Sequence, residues 1–440
     1  MKQRRLFLIA MAMFVVSCHS EIAEPKVVGA PSVDDQVSIY AISEEEAIEN
    51  LNEFLAAFDV EDTRVNSRVV KSIEPVKLDN LGMTRASSDV DIDNLLYIVE
   101  FEDGQGSAVL GADRRLTPVY AVLDESVLTK EDFQNAVNGE NIEDVSTFTA
   151  GVIANSLGSN ATLLPPGGGL ITDMYKDITT TTVVEYLPPL LDTKWEQLGI
   201  FNDKFRVWDT DVTDGRQCAG CTTIALAQIL NNNSYPSPIT LNGQTFYWRD
   251  INQFTWDNEE AWDDPELVDK MSSFIYCLAQ DLDVTYKDDG STGAGFSDVK
   301  RVMRQQNYSN LSVGPINESR VYPMLYNNRT VFAVGYANDD DGHAWVIDGW
   351  KSIRTDFIRI TYNGYGVETS REVLNSTETD YVHCNMGYAG QCDGYYTMDL
   401  FDLSDRRITG EYESGYGDIS VQYPSNYRFI YDLEALTYSY

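Results

Sequence analysis

The clearest periodic signal lies in SEEEAIENLNEFLAAF, where Ala47, Ile48, Leu51, Phe54, Leu55 and Phe58 recur at helical spacing. Ser43 stands as N-cap and Glu46, three residues on, completes a capping box, so the pattern predicts a helix opening at Ser43. Two β-type runs follow, Tyr97–Phe101 and Ser107–Leu110, and the glycine-containing turn between them predicts a hairpin. Together these elements describe a small α+β domain ending near Gly151. From about residue 155 to 185 the period is lost. Pro165, Pro166 and three consecutive glycines mark a linker, which Lys176 and the TTTT run prolong. Exposed linkers are where proteases cut. Beyond Leu187 aromatic and β-branched residues become denser. Helices are predicted at Thr222–Leu230 and Pro265–Gln280, and strands at Thr330–Tyr336, Ala344–Trp350, Phe357–Tyr362 and Tyr395–Leu400.

At 440 residues the chain exceeds one ordinary core, which agrees with two domains. Its hydrophobic share of 43% and charged share of 23% are globular values. The net charge of −37 changes the picture more, because so acidic a surface is repelled by phosphate backbones and argues against nucleic-acid binding. The first residues are different again. Lys2, Arg4 and Arg5 precede an apolar run from Leu6 to Val16, a secretory signal too short for a membrane anchor. VVSC at its end resembles the lipobox of bacterial lipoproteins, in which the cysteine, here Cys18, is lipidated and becomes the first residue. The expected protein is therefore exported, and either lipid-anchored to a bacterial membrane, the outer one favoured, or secreted. The expected divisions are a signal peptide (1–18), an N-terminal domain (19–155), a linker with a cleavage site (156–186) and a second domain (187–440).

Without Cys18, five of the six cysteines remain, an odd number for an oxidising compartment and a sign of at least one free thiol. Cys218 and Cys221 stand three apart in GRQCAGCTTIALAQIL. A zinc site completed by His383, Cys384 and Cys392, a redox dithiol, a structural bridge for Cys218 and a single working thiol are all open readings. The last has a physical rationale. A cysteine in the first turn of a helix meets unpaired N–H groups that favour thiolate, and its own N–H can serve an oxyanion. Such a thiol needs a histidine. Apart from His19, directly behind Cys18 at the end of the signal region, there are two, His343 in DDDGHAWVIDGW and His383 in YVHCNMGYAGQCDGYY. Gly342 and the strand-like AWVIDGW favour His343, because a strand would hold its ring rigidly.

AGCTTIALAQIL followed by SYP resembles the nucleophile segment of the streptopain family, the C10 cysteine peptidases. GHAWVIDGW resembles that family's histidine segment, CNMGYAGQCDGYY its N-W-G-W-G-G segment, LDTKWEQ its TKWxQ segment and KDDGSTGAG its substrate-side loop. LYIVEFEDGQGSAVLGADRRLTPVYAV resembles the family's propeptide. The resemblance implies a papain-like α+β peptidase domain behind an inhibitory α+β propeptide, made as an inactive precursor. It implies Cys221 as nucleophile, His343 as general base and acid, Gln197 as side-chain oxyanion donor and Asn385 as the group orienting the imidazole. Ser291 and Gly342 would lie along the substrate backbone. Protein or peptide substrates are implied, with the propeptide as intramolecular inhibitor, and no metal or organic cofactor. The chain departs from the family where Met386 and Tyr388 replace tryptophans and Thr223 an alanine; Met and Tyr give the histidine looser cover. A non-catalytic binding or inhibitor protein and another thiol acyl-transfer enzyme are the rival readings.

Overall fold

A computed structural model describes residues 41–59, 68–77, 84–85, 94–114, 116–141, 144–157, 175–207, 215–287, 292–336, 342–363, 367–401, 421–422 and 431–440. Helix α1 (Glu44–Phe58) begins where its cap dictates, with the Ser43 hydroxyl accepting the Glu46 N–H at 3.2 Å. It buries Ala47, Leu51, Phe54, Leu55 and Phe58 on one face. Strands β1 (Val70–Lys77), β2 (Asn94–Phe101), β3 (Ser107–Gly111) and β4 (Val119–Leu123) form an antiparallel meander, with β2 and β3 making the expected hairpin. Helix α2 (Lys130–Asn138) carries a Thr129–Asp132 capping box. Helix α3 (Val145–Ser156) runs past the boundary expected near Gly151, and every one of its residues is buried.

Both ends of the expected linker are something else: Ser156 closes α3, and residues 175–186 belong to a strand. From Tyr175 the chain is strand β5 (Tyr175–Leu187), antiparallel to β8. The TTTT run lies inside it, since β-branched threonines suit a pleated strand better than a loose connection. Residues 158–174, including Pro165 and the three glycines, lie outside the described set.

Helix α4 (Cys221–Asn233) is buried from Thr222 to Asn231. After it come β6 (Ser309–Pro315), β7 (Val331–Tyr336), β8 (Gly342–Tyr362), β9 (Glu368–Asn385), β10 (Gly394–Thr397) and β11 (Tyr431–Ser439). The two strands expected at Ala344–Trp350 and Phe357–Tyr362 are one 21-residue strand, β8. Met398–Leu400, expected as strand, is a single 3₁₀ turn.

These eleven strands share one antiparallel sheet, in the order β1-β2-β3-β4-β10-β9-β8-β7-β11-β6, with β5 also on β8, and the described residues add three short two-stranded ribbons. The seam between the N-terminal meander and the later strands is β4 against β10, where Leu123, Val122 and Ala121 face Gly394, Tyr395 and Tyr396. Two apolar clusters therefore each run through both halves, one holding Tyr396 and the other Tyr395, and the described residues fall in one compact unit.

Two polar anchors reinforce this seam. Lys351 of β8 is fully buried, its Nζ donating to the Phe58 carbonyl at 2.7 Å and lying 3.9, 4.8 and 4.6 Å from the ring centres of Phe58, Tyr186 and Tyr395. A buried ammonium is tolerable only with such partners. Below it, His383 of β9 is held between Asp348 at 2.6 Å and Asp124 at 3.3 Å, and Arg68 ties Asp124 to Asp59.

Candidate active site

Cys221 opens α4 because of the glycine before it. Gly220 has φ +88°, and a Cβ there would meet the Thr292 hydroxyl at 2.3 Å, so the tight entry into the helix excludes a side chain. Thr292 also donates to the Cys218 carbonyl at 3.1 Å and Thr222 to that of Ala294, which straps the loop after residue 291 against the cysteine turn. Ser291 itself lies outside the described residues. The half-buried Cys221 sulfur accepts the backbone N–H of Ala344, the residue after His343. The helix start of α4 and the start of β8 are thus brought together as the sequence suggested.

His343 is 5% exposed. Its Nε2 lies 3.0 Å from the Met386 carbonyl, and since that oxygen can only accept, Nε2 carries the proton and Nδ1 is the basic atom. The Asn385 side chain does not make this bond. Its Oδ1 accepts from Gln228 and from the Gly387 N–H, and its Nδ2 donates to the Thr193 carbonyl. Asn385 therefore fixes the turn, and the backbone of Met386, whose N–H is held by Asp393, holds the ring. The role expected of the Asn385 amide at the imidazole falls to a peptide carbonyl, which no side-chain pattern announces.

Gln197 is nearly buried, and its carbonyl accepts the Ala219 N–H at 2.9 Å, which pins its segment to the cysteine turn. Its side chain hydrogen-bonds the Tyr388 phenol. Gly342 pairs with Tyr336, and a Cβ there would meet the Gly335 carbonyl at 2.9 Å.

The expected thiolate is absent from this state. Burial pushes the Cys221 thiol above its ordinary pKa, against the opposing pull of the Ala344 N–H. Burial likewise lowers His343 to about 4, the Met386 carbonyl opposing it only in part. Both groups are neutral at pH 7. Part of that burial comes from α3: Phe148 sets its edge on the His343 ring at 5.3 Å and on Trp345 at 5.8 Å. The same helix bonds the loop after Tyr388 through Ser146, which accepts from Gln391 at 3.0 Å.

His383, the competing base, is charged. Burial draws its pKa down, but Asp348 and Asp124 together outweigh that and raise it to about 10. The five described cysteines are all unpaired, with Cys384 and Cys392 buried in the core.

Residues 195–396 match the model of the Peptidase C10 family. Among solved structures, the chain is similar to a fragment of a prointerpain A mutant from Prevotella intermedia, at 17% identity and TM-score 0.47, with 81% of this chain and 97% of that chain covered. It is also similar to active wild-type interpain A cysteine protease from the same organism, at 17% identity and TM-score 0.37, over 58% of this chain and 95% of that one. No curated protein matches the chain.

Proposed function

The chain belongs to the peptidase C10 family and is a cysteine-type peptidase, and from that premise we propose that it is an exported endopeptidase made as an inactive precursor. Cys221 is the nucleophile and His343 the base and acid. Nδ1 of His343 takes the thiol proton, and the sulfur attacks the peptide carbonyl carbon, placing the charge on its oxygen. Gln197 and the Cys221 N–H stabilise that oxyanion. Its collapse expels the amine, protonated by His343, and leaves a thioester. Water, deprotonated by the same ring, then releases the acid and restores the thiol. The N-terminal region through α3 is the inhibitory propeptide. Residues 158–174 are the activation segment, with Cys18 the lipid anchor to a bacterial membrane and Ser291 and Gly342 flanking the substrate backbone.

The observation that carries this reading is the Cys221 sulfur on the Ala344 N–H, with His343 next in the chain and covered by Phe148 of α3. A thiol and an imidazole both kept neutral by burial are what a resting precursor requires. The test is peptide hydrolysis by the full-length protein after incubation. Cys221→Ala should abolish it while Cys218→Ser retains most of it. Equal loss in the two variants would remove Cys221 from its role.

A further inference from the structure

Tyr388 touches more of the reaction centre than any role given to it so far explains. Its ring centre lies 5.3 Å from that of His343, and its phenol hydrogen-bonds the Gln197 side chain. The turn that carries it is fixed on two sides. Gly387 has φ +72°, and a Cβ there would sit 3.2 Å from Ile224 of α4. On the other side the Ala389 N–H donates to the Trp195 carbonyl, two residues before Gln197.

We propose that Tyr388 is a positioning residue for the hydrolysis, holding the Gln197 amide in the orientation that an oxyanion donor needs. The inference rests on the role assigned to Gln197 above. A primary amide has two N–H groups. The phenol oxygen takes one, leaving the other for the carbonyl oxygen of a substrate at Cys221. Three side-chain torsions of glutamine are thereby set before the substrate arrives, and a donor already in place needs no reorganisation during reaction. A tryptophan at this position could not do this, since an indole N–H accepts nothing. The ring alone would only shield His343, and a phenylalanine would shield it as well.

Tyr388→Phe keeps the ring and removes the oxygen, so it separates the two roles. The full-length variants are incubated to complete processing, and folded sites are counted by labelling Cys221 with iodoacetamide. Peptide hydrolysis is then measured per labelled site. Tyr388→Phe should lower kcat about tenfold with KM changed less than about twofold, because the interaction is used in the transition state. In a Gln197→Ala background the same change should cost less than about twofold, as coupled residues are not additive. An impaired Gln197→Ala beside an unimpaired Tyr388→Phe overturns this inference alone. So does a full tenfold loss repeated in the Gln197→Ala background. Gln197→Ala with unchanged kcat overturns the oxyanion role of Gln197, and this inference with it.

Discussion

Burial acts on His343 and His383 in the same direction, but only His383 has carboxylates to answer it. With a folded pKa of about 4, His343 stays neutral where an unfolded chain would take a proton near 6.5. Its contribution to stability is therefore lost as pH falls from about 6.5 to about 4, by roughly 3 kcal/mol at most. His383 behaves oppositely: its contribution is complete below 6.5 and fades as pH rises through about 10. A proton NMR titration of the full-length protein should place the His343 ring near 4 and leave the His383 ring unmoved between pH 5 and 8, by the order of magnitude of these shifts. A His343 midpoint near 6.5 would contradict its burial. That the Cys221 and His343 segments would meet was legible because a helix start, the scarcity of histidines and their neighbours announced it, whereas Gln197 came forward only through the family resemblance. The Met386 carbonyl was not, because every residue has one. Nor was the raised thiol pKa, since the helix-start argument omits what lies on top of the helix.

Helix α3 shows why a buried element hides from pattern reading. An amphipathic period needs a wet face, and α3 has none. The polar strand β9 escaped for the opposite reason, since residues 368 to 374 are exposed and give no apolar run. The hairpin β2–β3, α1 and α4 were legible because each has a cap, a turn or an unbroken apolar stretch. Among the residues of α3, Phe148 does the covering of His343. Phe148→Ala should cost the precursor about 3–5 kcal/mol of stability, as buried Phe truncations do. It should also shorten the lag before peptide hydrolysis begins and raise the reactivity of His343 toward diethyl pyrocarbonate. An unchanged lag would mean that α3 packs on the site without restraining it.

At the level of the whole molecule, the halves are joined by the β4–β10 ladder, the caged Lys351 and the Asp124–His383 pair. The sequence placed these halves in separate domains because sheet pairing between distant strands leaves no local signature. Lys351→Met preserves length and removes the charge, so the Phe58 carbonyl loses its donor. The precursor should lose about 1–3 kcal/mol, seen as a lower Tm. The processed enzyme should be nearly unaffected, having already parted with Phe58. An equal drop in both forms would show that Lys351 supports β8 alone.

The ladder between β4 and β10 has a further consequence once the N-terminal half departs. Gly394–Tyr396 would then have a neighbour on one side only, with its outward N–H and C=O groups facing water as a bare rim of the sheet. Tyr395 and Tyr396 point to opposite sides of that rim, one into each of the two apolar clusters, so a shift by one residue in any new pairing would exchange them. On the proposed activation, the N-terminal half would also keep one adhesive border of the enzyme out of reach of other chains, and its removal would turn a closed surface into a template.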